Sequence, residues 1–254
     1  MSKVEHLPGN STIFAVLLII LIPLQFLRAT PVEFGDNLIK NPDAELGDGS
    51  NDGYDVVGVP EWDTDGNFTV VKYGAVFNGV KFPDFDSPGP DDRGNNFFSG
   101  GPSNISSSAM QIIDVSEATD EIDLGTVGYD LSGYFGGWEA QNDYATLTIV
   151  FQDNNGKFIQ SAAIGSITAS NRGNDTGLLF QDINGFLPAK TRQIEVLLEM
   201  NRVSSGAYND GFADNLSLVL VPLPSTVILL GTGILVMRRY HHISRRTRHC
   251  PTKK

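Results

Sequence analysis

Along residues 68–221 the apolar positions recur with a period near two, the spacing of a strand with one side against a core and the other in water. The segments with this alternation or with β-rich composition are Phe68 to Tyr73, Ala109 to Val115, Val127 to Phe135, Ala145 to Gln152, Phe158 to Ile167, Gly177 to Ile183, Gln193 to Arg202 and Leu216 to Val221. Between them stand Asp65-Gly66, Asn78-Gly79, Asn155-Gly156, Asn184-Gly185 and Asp210-Gly211, dipeptides that admit the positive φ of tight turns. No stretch carries a long, capped, 3.6-residue apolar period. These signals predict an all-β domain, an antiparallel β-sandwich of about eight strands and of jelly-roll type.

Gly79 to Ser108 departs from the pattern. With Pro83, Pro88, Pro90 and Pro102 among glycines and serines it reads as mostly loop, with Asn96-Phe97-Phe98 as a candidate short strand. A long loop at one end of a sandwich forms either part of a binding rim or a cover over an open edge, and both readings stand.

The two ends of the chain are apolar in a different way. Lys3 precedes the run Ile13 to Leu24, and Arg28-Ala29-Thr30-Pro31 follows it, so residues 1–30 read as a signal peptide cut after Ala29. Leu27 stands where a small residue is usual, and an uncut N-terminus remains as an anchor. At the other end Val219 to Met237 is apolar except for prolines, small polar residues and glycines, and Arg238, Arg239 and a basic tail follow. That run just reaches the roughly 17 to 25 residues of a spanning helix, and its cations hold the tail on the cytoplasmic side. The expected organisation is residues 1–30 as signal, 31–221 as the sandwich, and 222–254 as a membrane-entering signal with its span at about 225–237.

Val221-Pro222-Leu223-Pro224-Ser225-Thr226, the Leu229-Leu230-Gly231-Thr232-Gly233 core and Arg238-Arg239 resemble the PEP-CTERM sorting signal of exported bacterial proteins. The resemblance implies a Pro-x-Pro element (Pro222, Leu223, Pro224) read in the membrane by an exosortase. It also implies transient anchoring, followed by release to the cell surface or an exopolysaccharide matrix. Leu223 stands where that signal usually carries glutamate, and a plain C-terminal anchor is the other reading.

Charge narrows the partners. Residues 31–237 carry 29 acidic and 9 basic side chains, a net charge of about −20 that repels phosphate backbones and excludes nucleic acid. Chemistry is narrowed as well. The single cysteine, Cys250, and all four histidines, His6, His241, His242 and His249, lie outside the exported part. No Ser-His-Asp, Cys-His or zinc arrangement can therefore form there, and nothing singles out one carboxylate pair for glycoside hydrolysis. The chain reads as a non-enzyme.

Asn37-Leu38-Ile39-Lys40-Asn41-Pro42-Asp43-Ala44-Glu45, Gln111-Ile112-Ile113-Asp114, Tyr129-Asp130-Leu131-Ser132-Gly133-Tyr134 and Asp210-Gly211-Phe212-Ala213-Asp214-Asn215-Leu216-Ser217-Leu218 are similar to the galactose-binding-like jelly rolls, carbohydrate-binding modules among them. The resemblance spans about residues 37–220 and implies neighbouring first and last strands. It also implies a structural Ca2+ held by Asp43, Glu45 and Asp214, carboxylates that otherwise are solvated surface acids.

A sugar site combines an aromatic platform with planar polar side chains. Trp138 with Tyr134, Gln141 and Asn142 supplies that mixture between two strands; capping the core is the alternative role for Trp138. Trp62 reads as core, and Arg93, Arg172 and Arg202 as solvated. The expected function is an exported, non-catalytic module bound to an exopolysaccharide or surface glycan, the alternative being a structural matrix protein without a sugar ligand.

Overall fold

The computed structural model describes residues 34–203 and 205–223. The expected signal peptide, Pro224, the span, Arg238 and Arg239 lie outside the described residues, among which no helix is long and apolar enough to cross a membrane.

The described chain is all-β. Its strands are β1 (Asp63–Asp65), β2 (Thr69–Lys72), β3 (Val76–Phe77), β4 (Val80–Lys81), β5 (Asn96–Pro102), β6 (Ser106–Asp114), β7 (Val127–Gly137), β8 (Tyr144–Gln152), β9 (Phe158–Gly165), β10 (Gly177–Phe186), β11 (Gln193–Asn201) and β12 (Tyr208–Pro222), with a short helix α1 (Thr119–Asp123). Two five-stranded antiparallel sheets, ordered β1-β6-β11-β8-β9 and β10-β7-β12-β5-β2, pack as a sandwich, and β3-β4 form a separate hairpin. Alternation sets the core: Leu147, Ile149 and Phe151 of β8 and Ile194, Val196 and Leu198 of β11 meet Leu131 and Phe135 of β7 and Leu218 and Leu220 of β12, all buried. Trp62 joins this core edge-on to Phe98 and donates its indole N–H to the Asn41 carbonyl.

Three expectations change. Between Gly79 and Ser108, a span that is otherwise mostly loop as expected, the strand at Asn96-Phe97-Phe98 is longer and more central than expected: it is β5, which runs on to Pro102 as an inner strand between β12 and β2 whose residues are buried throughout. Asn96 donates its amide N–H groups to the carbonyls of Ala44 and Gly47, and Ser99 bonds the Tyr208 hydroxyl at 2.9 Å. Gly101 is a close approach of two backbones, where a Cβ would stand 1.8 Å from the Asn67 carbonyl oxygen. Asn184-Gly185 is not a turn but part of β10, paired with Asp130 and Tyr129. Asp210-Gly211 sits inside β12, where the register with β5 shifts.

The start of the chain lies along its last strand: Asn37 bridges Val219, and Leu38 N–H donates to the Leu218 carbonyl. Beyond Val221, Pro222 still pairs with Val127 and Leu223 donates to the Thr126 carbonyl, so the sheet runs into the expected sorting element without a linker. Gly35 N–H bonds Leu220, which brings the first and last described residues to the same end. Strands β7 and β12 carry the sheet from there to Trp138 and Tyr208 at the opposite end, roughly 30 Å away at about 3.3 Å per residue.

Candidate functional site

The outer face of the β10-β7-β12-β5-β2 sheet is covered over one part. Val71, Phe97, Leu178 and Phe212 project from it and are buried beneath Tyr73, Ala75 and Phe82, with Phe77, Tyr134 and Trp138 packed at the margin. The cover is the hairpin β3-β4, turned by Asn78-Gly79 with φ of 50° and 85°, the paired positive values a two-residue hairpin of this hand needs. Pro-rich residues 83–90 continue it, and Arg93 ties this loop together by donating to the carbonyls of Pro90, Asp84 and Ser87 while lying over the Tyr73 ring. Arg93 therefore organises structure and is not a solvated cation.

Between the hairpin and the end of the sheet lies a hollow of about 200 Å³ whose walls include Tyr54, Phe77, Phe82, Trp138, Gln141, Tyr208 and Asp210. Tyr54 stacks on Phe77 with ring centroids 3.6 Å apart, and Phe82 meets Tyr208 edge-on at 5.2 Å. Trp138 follows β7 directly and donates its indole N–H to the Lys81 carbonyl at 3.1 Å. On the other side Val80, Lys81, Phe82 and Trp138 also bound a more open depression of about 450 Å³ reaching Asp84, Glu139 and Thr176.

Of the sequence-derived ligand residues, Trp138 and Gln141 are at the hollow. Tyr134 is not among its walls: it packs edge-on to Phe180 at 5.3 Å on the outer sheet face. Asn142 is exposed and accepts the Ala169 N–H. Tyr54, Phe77, Phe82, Tyr208 and Asp210 were not expected. The Asp210-Gly211 turn signature concealed Asp210, and Tyr54 stands alone in a polar stretch.

Behind the hollow Arg172 is buried, contrary to the expectation of a solvated cation; its guanidinium donates to the carbonyls of Gly137, Asp175 and Gln141. Asp143, also buried, accepts the N–H groups of Val203 and Asp210. Burial first, then the Asp143 charge, push the Asp210 carboxyl up to about 7 against the opposing pull of Arg172.

The three carboxylates expected to hold calcium lie on the far flank of the covered cluster. Asp214, fully buried, accepts the Tyr73 hydroxyl at 2.7 Å and the Asn215 N–H at 2.8 Å. Burial raises its carboxyl to about 8, the hydrogen bonds opposing, and the charges of Asp43 and Glu45 raise it further, which places both acids in its neighbourhood. Glu45 takes the backbone N–H groups of Asn95 and Asn96, and Asp43 approaches the Glu45 N–H. Among the described residues no three carboxylates surround one point as ligands of an ion.

No family model and no curated protein sequence matches the chain. Among solved structures it resembles a family 16 carbohydrate-binding module (TM-score 0.42, 16% identity, 72% of this chain and 99% of that one). It also resembles a Stig cyclase from Fischerella sp. TAU (TM-score 0.49, 14% identity, 74% and 98%). A third likeness is to the enzymatically active domain of bacteriophage CBA120 tailspike protein 4 (TM-score 0.43, 15% identity), where 73% of this chain spans about a fifth, 21%, of the other. Binding modules and enzymes thus both stand among the neighbours.

Proposed function

We propose that the domain is a non-catalytic carbohydrate-binding module of jelly-roll type that takes a glycan into the hollow beneath β3-β4. The observation that supports this is the lining: rings of Tyr54, Phe77, Phe82, Trp138 and Tyr208 share walls with Gln141 and Asp210. Rings take the C–H face of a pyranose, and planar polar groups take its hydroxyls. The hollow suits one sugar unit, and the adjoining depression past Trp138 gives a polymer somewhere to continue.

The same proposal covers placement. Residues 222–254 act as a PEP-CTERM-like sorting signal handled by an exosortase, and residues 1–30 direct export. Supporting this, the sheet runs directly into Pro222 and Leu223, at the end opposite the hollow, so an anchored domain presents its hollow away from the bilayer. Ca2+ near Asp214, Asp43 and Glu45 is part of the reading as a stabilising ion.

The second reading, a matrix protein that associates with itself, is favoured by one observation. Edge strand β10 exposes Phe180 (53%), Ile183 (38%) and Phe186 (58%) beside an unpaired backbone edge.

The test is binding of the full chain in detergent to a glycan array and to its producer's exopolysaccharide, with calcium and with chelator. Saturable binding lost in Trp138→Ala supports the module. Concentration-dependent association without glycan binding, abolished by Phe186→Lys, supports the matrix reading instead. Mass spectrometry of the mature ends tests the sorting proposal, which fails if Arg238 and Arg239 persist on the exported protein.

A further inference from the structure

Three of the four sheet edges are guarded. Ser50 lies along β2, accepting the Lys72 N–H and donating its own to Val70. Strand β1 is three residues long with Asp63 and Asp65 exposed, and β9 carries a register shift against β8. Shortness, charge and irregularity are what keep an edge from pairing with another chain. Strand β10 is guarded by none of them except the single charge of Asp182: it is ten residues long, has neither lysine nor proline, and pairs with β7 without a shift. Among the described residues no strand lies on its other side. The Pro88 carbonyl there takes only the Leu178 N–H, which leaves Phe180 to Phe186 open.

The open edge is complementary to itself. Leu178 N–H points to Pro88 and Leu187 N–H to Val127, in line with β7, so alternation turns the main-chain groups of Phe180, Asp182, Asn184 and Phe186 to the open side. Their side chains share the outer face with Leu178, and Tyr134 braces Phe180 there. Read outwards from Ile183, the order is Asp then Phe one way and Asn then Phe the other. We propose that β10 docks on β10 of a second copy, antiparallel about a two-fold axis at Ile183. Phe180 then stands opposite the partner's Phe186, and Asp182 opposite the partner's Asn184, a carboxylate facing an amide. Moving the axis to Asp182 sets two carboxylates against each other, and moving it to Asn184 sets Asp182 against a phenylalanine. Such a contact consumes the edge that makes it, so association closes at two, where a matrix needs growth. The glycan reading is independent of it. Antiparallel docking sets the two hollows at opposite ends, so one pair joins two glycan chains. With the placement proposed above, copies anchored in one bilayer cannot pair in this way, and docking joins facing surfaces or released copies.

The experiment is sedimentation equilibrium of the full chain in density-matched detergent over a concentration series. We expect a monomer and a dimer and nothing larger, with the dimer favoured by salt, which screens the acidic surfaces, and lost in Phe186→Lys. Asn184→Asp places like charges opposite each other at two symmetric positions and should weaken the dimer about fivefold or more. The double variant Asp182→Asn with Asn184→Asp restores the pairing and the affinity; both positions are exposed, so folding is spared. In a Cys250→Ser background, Ile183→Cys should link the two copies by a disulfide across the axis, and Asp182→Cys, diagonal to its counterpart, should link them far more slowly. A monomer at every concentration overturns the inference and the matrix reading together. Growth beyond two overturns it and favours the matrix. A dimer that Asn184→Asp leaves undiminished, or that the double variant fails to restore, overturns the register. Glycan binding is read separately on the array, so its outcome decides nothing here.

Discussion

Trp138 donates its indole N–H to the main-chain carbonyl of Lys81 across 3.1 Å, joining the end of β7 to the hairpin that roofs the hollow. The residue is both a wall of the site and a clasp on its cover. Trp138→Phe keeps an aromatic face and loses the clasp, whereas Trp138→Ala loses both. Glycan affinity should fall by about 2 kcal/mol or more in the alanine variant and by less in the phenylalanine variant. Because Trp138 packs with the outer cluster and not the inter-sheet core, the melting temperature of both should stay near that of the parent. Titration and thermal melts on the same preparations check the separation of the two effects.

Asp214 makes stability depend on pH in an unusual direction. Its carboxyl stands at about 8 in the folded chain against an ordinary 3.8, so between those values the folded chain holds a proton that the unfolded chain has lost. Stability should therefore decline as pH rises through this window and level off above about 8. Asp210, at about 7, adds a decline of the same sign that ends lower. Urea midpoints at intervals from pH 5 to pH 8 should fall less steeply in Asp214→Asn than in the parent. If calcium binds here it replaces that proton, and added calcium should raise the midpoint most at the alkaline end. A midpoint indifferent to calcium and chelator at pH 8 removes the ion from the proposal.

The sandwich was legible where burial alternates and obscure where it does not. Strands β8 and β11 declare themselves because every second residue is apolar and buried. Strand β5 shows only its first three residues in the sequence because it is buried on both faces with the composition of a loop, its Asn96 amide and Ser99 hydroxyl bonded to partners distant in sequence. At the site, Trp138 and Gln141 were legible because an aromatic residue and an amide stood together between strands. Tyr54, Phe77 and Tyr208 were not, since only the folding-back of β3-β4 over the sheet brings them to Trp138. That Tyr73 and Asn215 bond Asp214 was not legible, since Tyr73 lies 141 residues away in the chain.

Gly101 allows a test of the β5 assignment. Its φ is +79°, and any Cβ meets the Asn67 carbonyl oxygen. Gly79, at φ +85° on the hairpin tip, has open space around it. Gly79→Ala should cost about 1 kcal/mol for the backbone conformation alone. Gly101→Ala should cost clearly more, because two strands must separate. Denaturant unfolding of the two variants compares them, and a loop at residues 96–102 would make the two costs alike.

Arg172 holds the turn that carries Gln141 without itself lining the hollow. Its guanidinium bonds the carbonyls of Gly137 and Gln141, residues on either side of Trp138, at 2.8 and 2.9 Å. Arg172→Met keeps much of the apolar stem but leaves buried carbonyls without donors, for which a loss of about 2 to 4 kcal/mol of stability is expected. It also removes the charge that holds Asp210 down, so the Asp210 carboxyl should rise above its present value of about 7. Arg172→Lys retains the charge and cannot span the same carbonyls, so it should restore the Asp210 titration while remaining unstable. Following the Asp210 carboxyl by NMR across pH in the two variants separates the electrostatic role of Arg172 from its structural one. An unchanged Asp210 titration in Arg172→Met would show that Asp143 and burial alone set its proton affinity.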